Sequence, residues 1–169
     1  MDWKPNLEGI KWFLKNVWIK YLINKKIGTL HLAGKKMPNN LINQNYKSIK
    51  INGLVENSEN YMKSKSVMIV PIFSGSGIRI KILEGMSMGI PIISTKKGAQ
   101  GINCKNNKNI LICNDEIEFL NSIKNLKNDK ILFNKLSQEG KKLINEYFST
   151  NVVIKNWKKL IYEDCYNNS

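Results

Sequence analysis

The sequence contains a single histidine, His31, and this scarcity limits the chemistry that the protein can perform. A Ser-His-Asp triad needs a histidine base, and metal sites built on imidazole commonly use more than one. Because His31 lies inside the apolar run at residues 29–33, we interpret it as a structural residue of a strand. The sequence therefore argues against a histidine-based triad or metal cluster.

Cysteines and long apolar runs are scarce as well. The three cysteines, Cys104, Cys113 and Cys165, are odd in number and lack the paired spacing of a zinc site. We interpret them as reduced thiols in an intracellular protein. No apolar run approaches the roughly 20 residues that a membrane-spanning helix needs. With 169 residues and 42% apolar content, the chain is expected to form one globular domain with its own core.

Acidic residues number only 13 against 27 basic ones, which gives a formal net charge of +14. Such a charge favours anionic ligands or an anionic membrane surface. The lysines, however, are scattered in pairs and do not form one stripe with interleaved aromatics. The abundance of Asn and Ile indicates a bias toward A/T-rich codons. Two interpretations therefore stay open: a solvated basic surface, and a selected anionic partner.

The most informative stretch is residues 68–100, where an apolar run, a Ser/Gly-rich turn, a helical pattern and a second apolar run follow one another. This order is typical of a parallel α/β sheet. Gly75 and Gly77 allow a tight turn and a close approach to a ligand. A helix beginning near Ile78 would aim unpaired N–H groups at the turn, and Arg79 and Lys81 add positive charge. The turn is either an anion-binding site or an ordinary strand-to-helix turn.

The rest of the pattern extends the same architecture along the chain. Residues 1–26 are predicted to be one helix after Pro5 or Asn6, which suit a first turn or cap, and a weak helix is predicted near 39–44 and a short one at 58–63. The two helices after the last strand are predicted to bury one face each: Ile117, Leu120, Ile123 and Leu126 in the first, and Leu132, Leu136, Leu143 and Tyr147 in the second. A terminal helix follows, capped by Ser149 or Thr150, in which Val153, Trp157, Leu160 and Ile161 share a face.

Apolar strands are predicted at 29–33, 49–52, 67–72, 90–94 and 109–113, with helices between them. Strands this apolar are typical of a parallel sheet with helices on both faces. The loops at 34–36, 74–81 and 97–101 then meet at one edge, which makes them candidates for a shared pocket.

These residues resemble a known family. The segments SGSGIRIKILE (74–84), GMSMGIPIIST (85–95) and GAQGI (98–102) are similar to the donor-binding half of family 4, group 1, glycosyltransferases. MDWKPN (1–6), Gly34-Lys35, Gly53-Leu54-Val55 and Phe148 also fall where that family places similar residues. The resemblance covers essentially the whole chain.

The resemblance implies a GT-B architecture of two Rossmann-like domains, in which the C-terminal domain holds the nucleotide-sugar. Residues 1–148 would form this domain, and residues 149–169 a helix that crosses toward the acceptor domain. In the family a central strand precedes the segment at 2–6. We therefore expect that the chain is a piece of a larger enzyme and that the strands at 29–33 and 67–72 each lose a neighbour.

The resemblance also implies roles for individual residues. Glu84 would bind the ribose hydroxyls, while the Ser76 position, eight residues earlier, holds a glutamate in many family members. The leaving diphosphate would be neutralised without a metal or other cofactor. The catalytic candidates are Arg79, Lys81 and Lys35; the donor-binding candidates are Gly34, Gly75, Ser76, Gly77, Ile78 and Glu84; and the pocket-loop candidates are Gly98, Ala99 and Gly101.

The function implied by the resemblance is retaining transfer of a hexose from a nucleotide-sugar donor in polysaccharide or glycoconjugate synthesis. The acceptor would be a glycan or lipid-linked glycan, met through the other domain, in the cytoplasm or at the inner face of the membrane, with no nucleic acid involved. One alternative is a nucleotide- or phosphate-binding module without catalysis. Another, motivated only by charge, is a basic nucleic-acid or membrane-surface protein.

Overall fold

A computed structural model describes residues 3–38 and 46–167 of the chain. Its strands pair in parallel and form two sheets. Strand β1 (Leu30–Ala33) pairs with β2 (Ile49–Gly53) in the first sheet. The second sheet has the order β3 (Met68–Val70), β4 (Ile92–Ser94), β5 (Leu111–Ile112). The predicted parallel α/β class is thus confirmed, while the weak helix predicted near residues 39–44 lies outside the described residues.

The outer strands of the second sheet are shorter than predicted, for local reasons. Strand β3 stops before Pro71, which has no N–H to continue a ladder. At β5, the Asn106 side chain accepts a hydrogen bond from the Ile112 N–H at 2.8 Å, and the Asn109 side chain accepts one from the Lys105 N–H at 2.8 Å. These side-chain amides serve backbone groups next to β5, so the regular ladder is confined to its two residues.

The first helix changes its winding along its length. Helix α1 (Lys4–Phe13) has Pro5 in its first turn, as predicted, and continues into a π-helical segment at Leu14–Leu22. The sequence predicted one continuous α-helix. A π-turn contains more residues than an α-turn, but residues four apart lie on one face in both windings. Leu14, Trp18 and Leu22 have this spacing, and all are buried.

Helices cover both faces of the strands. On one side, α1 and the π-helical segment pack with helix α4 (Glu116–Asn128) in a core that also contains Leu32, Ile49 and Ile93. On the other, helices α3 (Ile80–Ser87) and α5 (Lys130–Tyr147) enclose a core with Ile92 and Ile110. The short helix α2 (Ser58–Lys63) connects β2 to β3 and matches its predicted bounds. The predicted cover of helices on both faces is therefore confirmed.

Two of the predicted buried faces are wrong in detail. In α4 the buried residues are Phe119, Leu120 and Leu126, and Ile117 is 47% exposed. In α5 Tyr147 is 43% exposed, although Leu136 and Leu143 are buried as predicted. Both exceptions lie in a terminal turn of their helix.

The C-terminal helix α6 (Thr150–Asn167) begins beside the predicted cap residues and turns part of its apolar face to solvent. Val153, Trp157 and Ile161 are all more than a third exposed. None of the helices in the described part of the chain is long and apolar enough to cross a membrane.

A cleft of about 920 Å³ lies between the two sheets. Its lining includes residues 27–33 on the β1 side and residues 64–72 on the β3 side, together with Ile10, Phe13 and Trp18. Within residues 3–38 and 46–167, β1 pairs only with β2, and β3 pairs only with β4. The two facing strand edges are therefore unpaired, as the resemblance led us to expect.

Candidate functional site

The glycine-rich turn between β3 and α3 is fixed by two backbone conformations that favour glycine. Gly75 and Gly77 have φ values of 88° and 87°. Gly75 also lies against the Trp3 ring, since a Cβ at this position would sit 2.6 Å from one ring carbon. The turn therefore depends on glycine for its conformation and, at Gly75, for space. Ser76 and Ile78 are exposed beside these glycines.

Arg79 holds this turn together. Its Nη1 donates hydrogen bonds to the carbonyl oxygens of Ser76 and Gly77, each at 2.6 Å. Its guanidinium lies 4.5 Å from the centre of the Trp3 ring, in a cation–π contact. The Nε atom is buried and has no hydrogen-bond partner in the described part of the chain. The guanidinium thus connects the glycine turn to the start of α1.

Helix α3 begins two residues later than predicted, at Ile80, and Arg79 takes the N-cap position. No side chain among the described residues caps this helix. The Ile82 N–H already donates to the Arg79 carbonyl oxygen at 2.8 Å, which leaves the N–H groups of Ile80 and Lys81 for an anion at the glycine turn. Lys81 lies in the first turn as predicted, and Glu84 follows one turn later.

Glu84 and Lys81 form an ion pair beside a small cavity. The Lys81 Nζ donates to Glu84 Oε2 at 2.7 Å, and the two side chains are 59% and 38% exposed, respectively. The cavity, of about 450 Å³, lies between α2 and α3. Besides Glu84, its lining consists of Ser58, Glu59, Met62, Lys63, Ser87 and Met88. The Glu84 carboxylate is therefore reachable from solvent and has a cation beside it.

The loop after β4 contacts the glycine turn, so the structure brings together two of the three predicted loops. Gly101 has a φ of 83°, and a Cβ there would lie 2.9 Å from Cγ1 of Ile78. Gly98 donates its N–H to Thr95 Oγ1 at 2.9 Å, and Ala99 is buried. Gly98 and Ala99 thus lie on the buried side of this loop, while Gly101 contacts the glycine turn at Ile78.

The hydroxyls of Ser94 and Thr95 were not predicted to matter, but they connect β4 to β3. Ser94 Oγ donates to the Val70 carbonyl oxygen at 3.1 Å, and the Thr95 hydroxyl donates to that of Ile72. Both residues are fully buried. The signal in the sequence was the appearance of two hydroxyl residues at the end of an otherwise apolar strand.

Gly34 and Lys35 lie at the carboxyl end of β1, in the other sheet. The Gly34 N–H donates to the Gly53 carbonyl oxygen at 2.7 Å, and Lys35 is exposed. The cleft separates β1 from β3, and hence this loop from the strand that leads into the glycine turn. Lys35 stays a predicted site residue, at the same edge as the turn but in a different sheet.

The described cysteines are not suited to nucleophilic catalysis. Burial raises the pKa of both Cys104 and Cys113 to about 11. Their thiols are therefore protonated at neutral pH, whereas the thiolate is the reactive form. Across residues 3–38 and 46–167, no group of His, Cys, Asp and Glu side chains is arranged to hold a metal ion.

The fold and the turn define a class of protein: an α/β domain with parallel strands and, at their carboxyl edge, a glycine-rich turn that leads into an uncapped helix. Comparison with known families makes this more specific. The family model "Glycosyl transferases group 1" matches residues 1–129. The chain therefore belongs to the group 1 glycosyltransferases.

Individual relatives agree with this membership. The chain is 26% identical over 166 residues to "Uncharacterized 44.6 kDa protein in cps region" of Klebsiella pneumoniae, covering 86% of this chain and 42% of that protein. The chain thus spans about two-fifths of the length of this curated relative.

Solved structures share the fold. The C-terminal domain of the group 1 glycosyltransferase LpcC from Francisella tularensis superposes with a TM-score of 0.69 at 18% identity, covering 88% of this chain and 82% of that domain. A complex of S. aureus TarM that contains UDP superposes with a TM-score of 0.74 at 16% identity, covering 95% of this chain and 33% of TarM. The described fold is therefore that of a GT-B glycosyltransferase domain.

Proposed function

We propose that this chain is the donor-binding part of a glycosyltransferase that moves a sugar from a nucleotide-sugar to an acceptor. The observation that carries the proposal is the glycine turn at Gly75–Gly77, set before an uncapped helix that bears Glu84 one turn on. Membership of the group 1 glycosyltransferases supports the same function.

In the proposed complex, the diphosphate lies at the N-terminus of α3. The N–H groups of the first turn and the helix dipole favour negative charge there. Gly75, Ser76 and Gly77 let the ligand approach the backbone, and the contact between Gly101 and Ile78 closes one side of the turn. Glu84 then receives the ribose hydroxyls, and Lys81 stays beside it as a cation.

The chemical step separates the sugar from the nucleoside diphosphate, so negative charge grows on the leaving group. Lys81, Lys35 and the α3 N-terminus are the groups proposed to stabilise that charge, in place of a metal. Arg79, whose Nη1 already donates to two turn carbonyls, adds positive charge and keeps the turn in shape.

The proposal extends to the acceptor and the pathway. We propose a glycan or lipid-linked glycan acceptor in polysaccharide or glycoconjugate synthesis, met through a second domain at the cytoplasmic side of a membrane. The matched Klebsiella protein is described as lying in a cps region, and UDP is present in the TarM structure. Retention of the anomeric configuration is part of the same proposal.

Calorimetric titration of the full chain with UDP-, GDP- and ADP-sugars tests donor binding. We expect one of the three to bind, and Glu84→Gln to weaken that binding at least tenfold because a charged acceptor of ribose hydroxyls is lost. Glu59→Gln is the matched control: Glu59 lines the same cavity but lies on α2, and its replacement should leave affinity unchanged.

The opposite results have distinct meanings. If none of the three donors binds to the folded chain, donor binding by this chain is contradicted. If Glu59→Gln weakens binding as much as Glu84→Gln, the role assigned to Glu84 is wrong. A nucleotide module without catalysis would instead bind the free nucleoside diphosphate and show no sugar transfer when an acceptor-binding domain is supplied.

A further inference from the structure

Arg79 is the only arginine of the chain, although lysine and arginine together number 27. Its guanidinium makes two kinds of contact at once. Nη1 donates to the carbonyl oxygens of Ser76 and Gly77, and Cζ lies 4.5 Å from the centre of the Trp3 ring. A lysine ammonium has no planar group that stacks on a ring. In a chain that otherwise uses lysine, the guanidinium is therefore present where its planar geometry is needed.

The Trp3 ring is held in place by helix α1. Trp3 is the N-cap residue of α1, and its carbonyl oxygen accepts hydrogen bonds from the N–H groups of Asn6 and Leu7 at 3.1 and 3.3 Å. Further along the helix, a Cβ at Gly9 would overlap the Pro71 carbonyl oxygen, so α1 lies directly against the end of β3. The position of the ring relative to the glycine turn is therefore set by a helix that contacts the strand leading into that turn.

The two carbonyl groups that Arg79 binds determine where their peptide N–H groups point. In a trans peptide group the C=O and N–H bonds point in opposite directions, and no cis peptide bond occurs in the described part of the chain. The Ser76 carbonyl shares its peptide group with the Gly77 N–H, and the Gly77 carbonyl shares its group with the Ile78 N–H. Because both oxygens face Arg79 Nη1, both N–H groups point away from the guanidinium.

These two N–H groups are open to a ligand. Gly77 and Ile78 are exposed, and neither N–H donates a hydrogen bond to another described residue. A cation bound to a carbonyl oxygen also polarises the peptide group, which makes its N–H a stronger donor. Arg79 therefore favours an anion on the opposite side of the turn without contacting that anion itself.

We propose that Trp3 is a positioning residue of the donor site. Its ring holds the Arg79 guanidinium against the turn carbonyls, and Arg79 in turn directs the N–H groups of Gly77 and Ile78 toward the diphosphate. The inference deepens the proposed function and rests on it, because the diphosphate is the anion that the proposal places at this turn.

Sodium pyrophosphate is the probe for the test, because it carries the diphosphate without a base or a sugar. NMR titration of the full chain, in about 150 mM NaCl to screen exposed lysines, follows the amide signals of Gly77 and Ile78. We expect Trp3→Leu to weaken pyrophosphate binding at least about fivefold, and Trp3→Phe, which keeps an aromatic face, at most about twofold. Circular dichroism checks that each variant is folded.

Two further measurements accompany the titration. Trp157→Leu is the matched control, because Trp157 is 65% exposed on α6, and it should leave pyrophosphate affinity unchanged. The Nε–H signal of Arg79 can be followed without assignment, since the chain has no second arginine. In Trp3→Leu this signal should move toward its position in the unfolded chain, because the ring no longer shields it.

Trp3→Leu in an Arg79→Lys background separates positioning from packing. If Trp3 acts through Arg79, the replacement should weaken binding there by less than about twofold. The inference is overturned if Trp3→Leu has the same effect in both backgrounds, or no effect in the wild-type chain. It is also overturned if Trp157→Leu weakens binding equally, or if pyrophosphate leaves the Gly77 and Ile78 signals unmoved. If pyrophosphate moves these signals as expected but no nucleotide-sugar binds, the proposed function fails and the positioning role of Trp3 toward an anion stands.

Discussion

Gly75 is subject to two constraints, a left-handed φ of 88° and the Trp3 ring against its α-carbon. We expect Gly75→Ala to lower the free energy of unfolding by more than the 1–2 kcal/mol or so that a left-handed non-glycine residue costs. Gly53→Ala is the matched control, because Gly53 has a φ of 59° but nothing within 4 Å of a new Cβ. Urea denaturation of both variants measures the difference.

The part of the Gly75→Ala destabilisation that comes from the Trp3 ring can be measured separately. In a Trp3→Ala background the ring is gone and only Pro5 Cγ, at 3.3 Å, stays close to the new Cβ, so Gly75→Ala should cost less than it does in the wild-type chain. A coupling of roughly 0.5 kcal/mol or more between the two sites is expected for residues in contact. Additive effects would mean that Trp3 does not pack on Gly75 in solution.

His31 is the only histidine, so its titration can be measured without assignment. Partial burial lowers its pKa below the usual 6.5, and the charges of Lys65 and Lys50 act in the same direction. The folded chain therefore takes up this proton at lower pH than the unfolded chain does. We expect the imidazole proton NMR signal of the folded protein to titrate with a midpoint below 6.5.

The consequence for stability has a definite sign. His31 favours folding fully above pH 6.5, and this contribution is lost as pH falls through 6.5 toward the lower pKa of the folded state. Relative to His31→Gln, the wild-type chain should therefore lose stability over that range. A midpoint at or above 6.5 in the folded protein would contradict both expectations.

Single residues also show where sequence reasoning reached its limit. The glycine turn was predicted because two closely spaced glycines before a helix have a known backbone use. The contacts of Arg79 with Trp3 and with its own turn were not predicted, since they depend on α1 ending up against the turn across 76 positions of sequence. The spacing of residues in the sequence predicts local backbone conformation. Contacts between residues far apart along the chain depend on the fold and are not predicted by spacing.

At the scale of an element, helix α4 depends on its N-cap. The Asp115 carboxylate accepts from the N–H groups of Ile117 and Glu118, both at 2.9 Å. We expect Asp115→Ala to cost about 1 kcal/mol of stability, and Asp115→Asn only a few tenths, because asparagine keeps the acceptor. Urea denaturation distinguishes the two. Equal losses would show that charge at the helix N-terminus, and not the cap hydrogen bonds, is what Asp115 provides.

The bounds of helices and strands were predicted best where neighbouring residues in the sequence determine them. The predicted bounds of α2 are correct, and the structure shows a local reason for its start: the Asn57 side chain caps the helix by accepting from the Asn60 N–H at 2.8 Å. The π-helical winding at Leu14–Leu22 was missed, because four-residue spacing of apolar side chains suits an α-helix as well. In the structure this segment packs in the core, and Trp18 Nε1 donates to Ser48 Oγ at 3.1 Å, a contact between residues 30 positions apart that spacing does not predict.

At the scale of the whole molecule, basic side chains outnumber the acidic side chains with which they could form ion pairs. Pairs such as Lys63–Glu59 at 2.6 Å and Lys81–Glu84 at 2.7 Å join exposed side chains, and such pairs add little stability. With 27 basic and 13 acidic residues, the chain has an excess of 14 positive charges. Repulsion among them opposes the compact state, because folding brings the charges closer together.

Salt should therefore stabilise this protein. Raising NaCl from about 20 mM to about 200 mM shortens the Debye length to roughly 7 Å and weakens repulsion between exposed lysines. We expect Tm to rise by about 2–4 °C, as measured by circular dichroism. The double variant Lys124→Gln/Lys135→Gln, at exposed positions on α4 and α5, removes two positive charges and should show a smaller rise. A Tm that falls with salt would mean that the ion pairs outweigh the repulsion, and an equal rise in the variant would point to anion binding at one site in place of general screening.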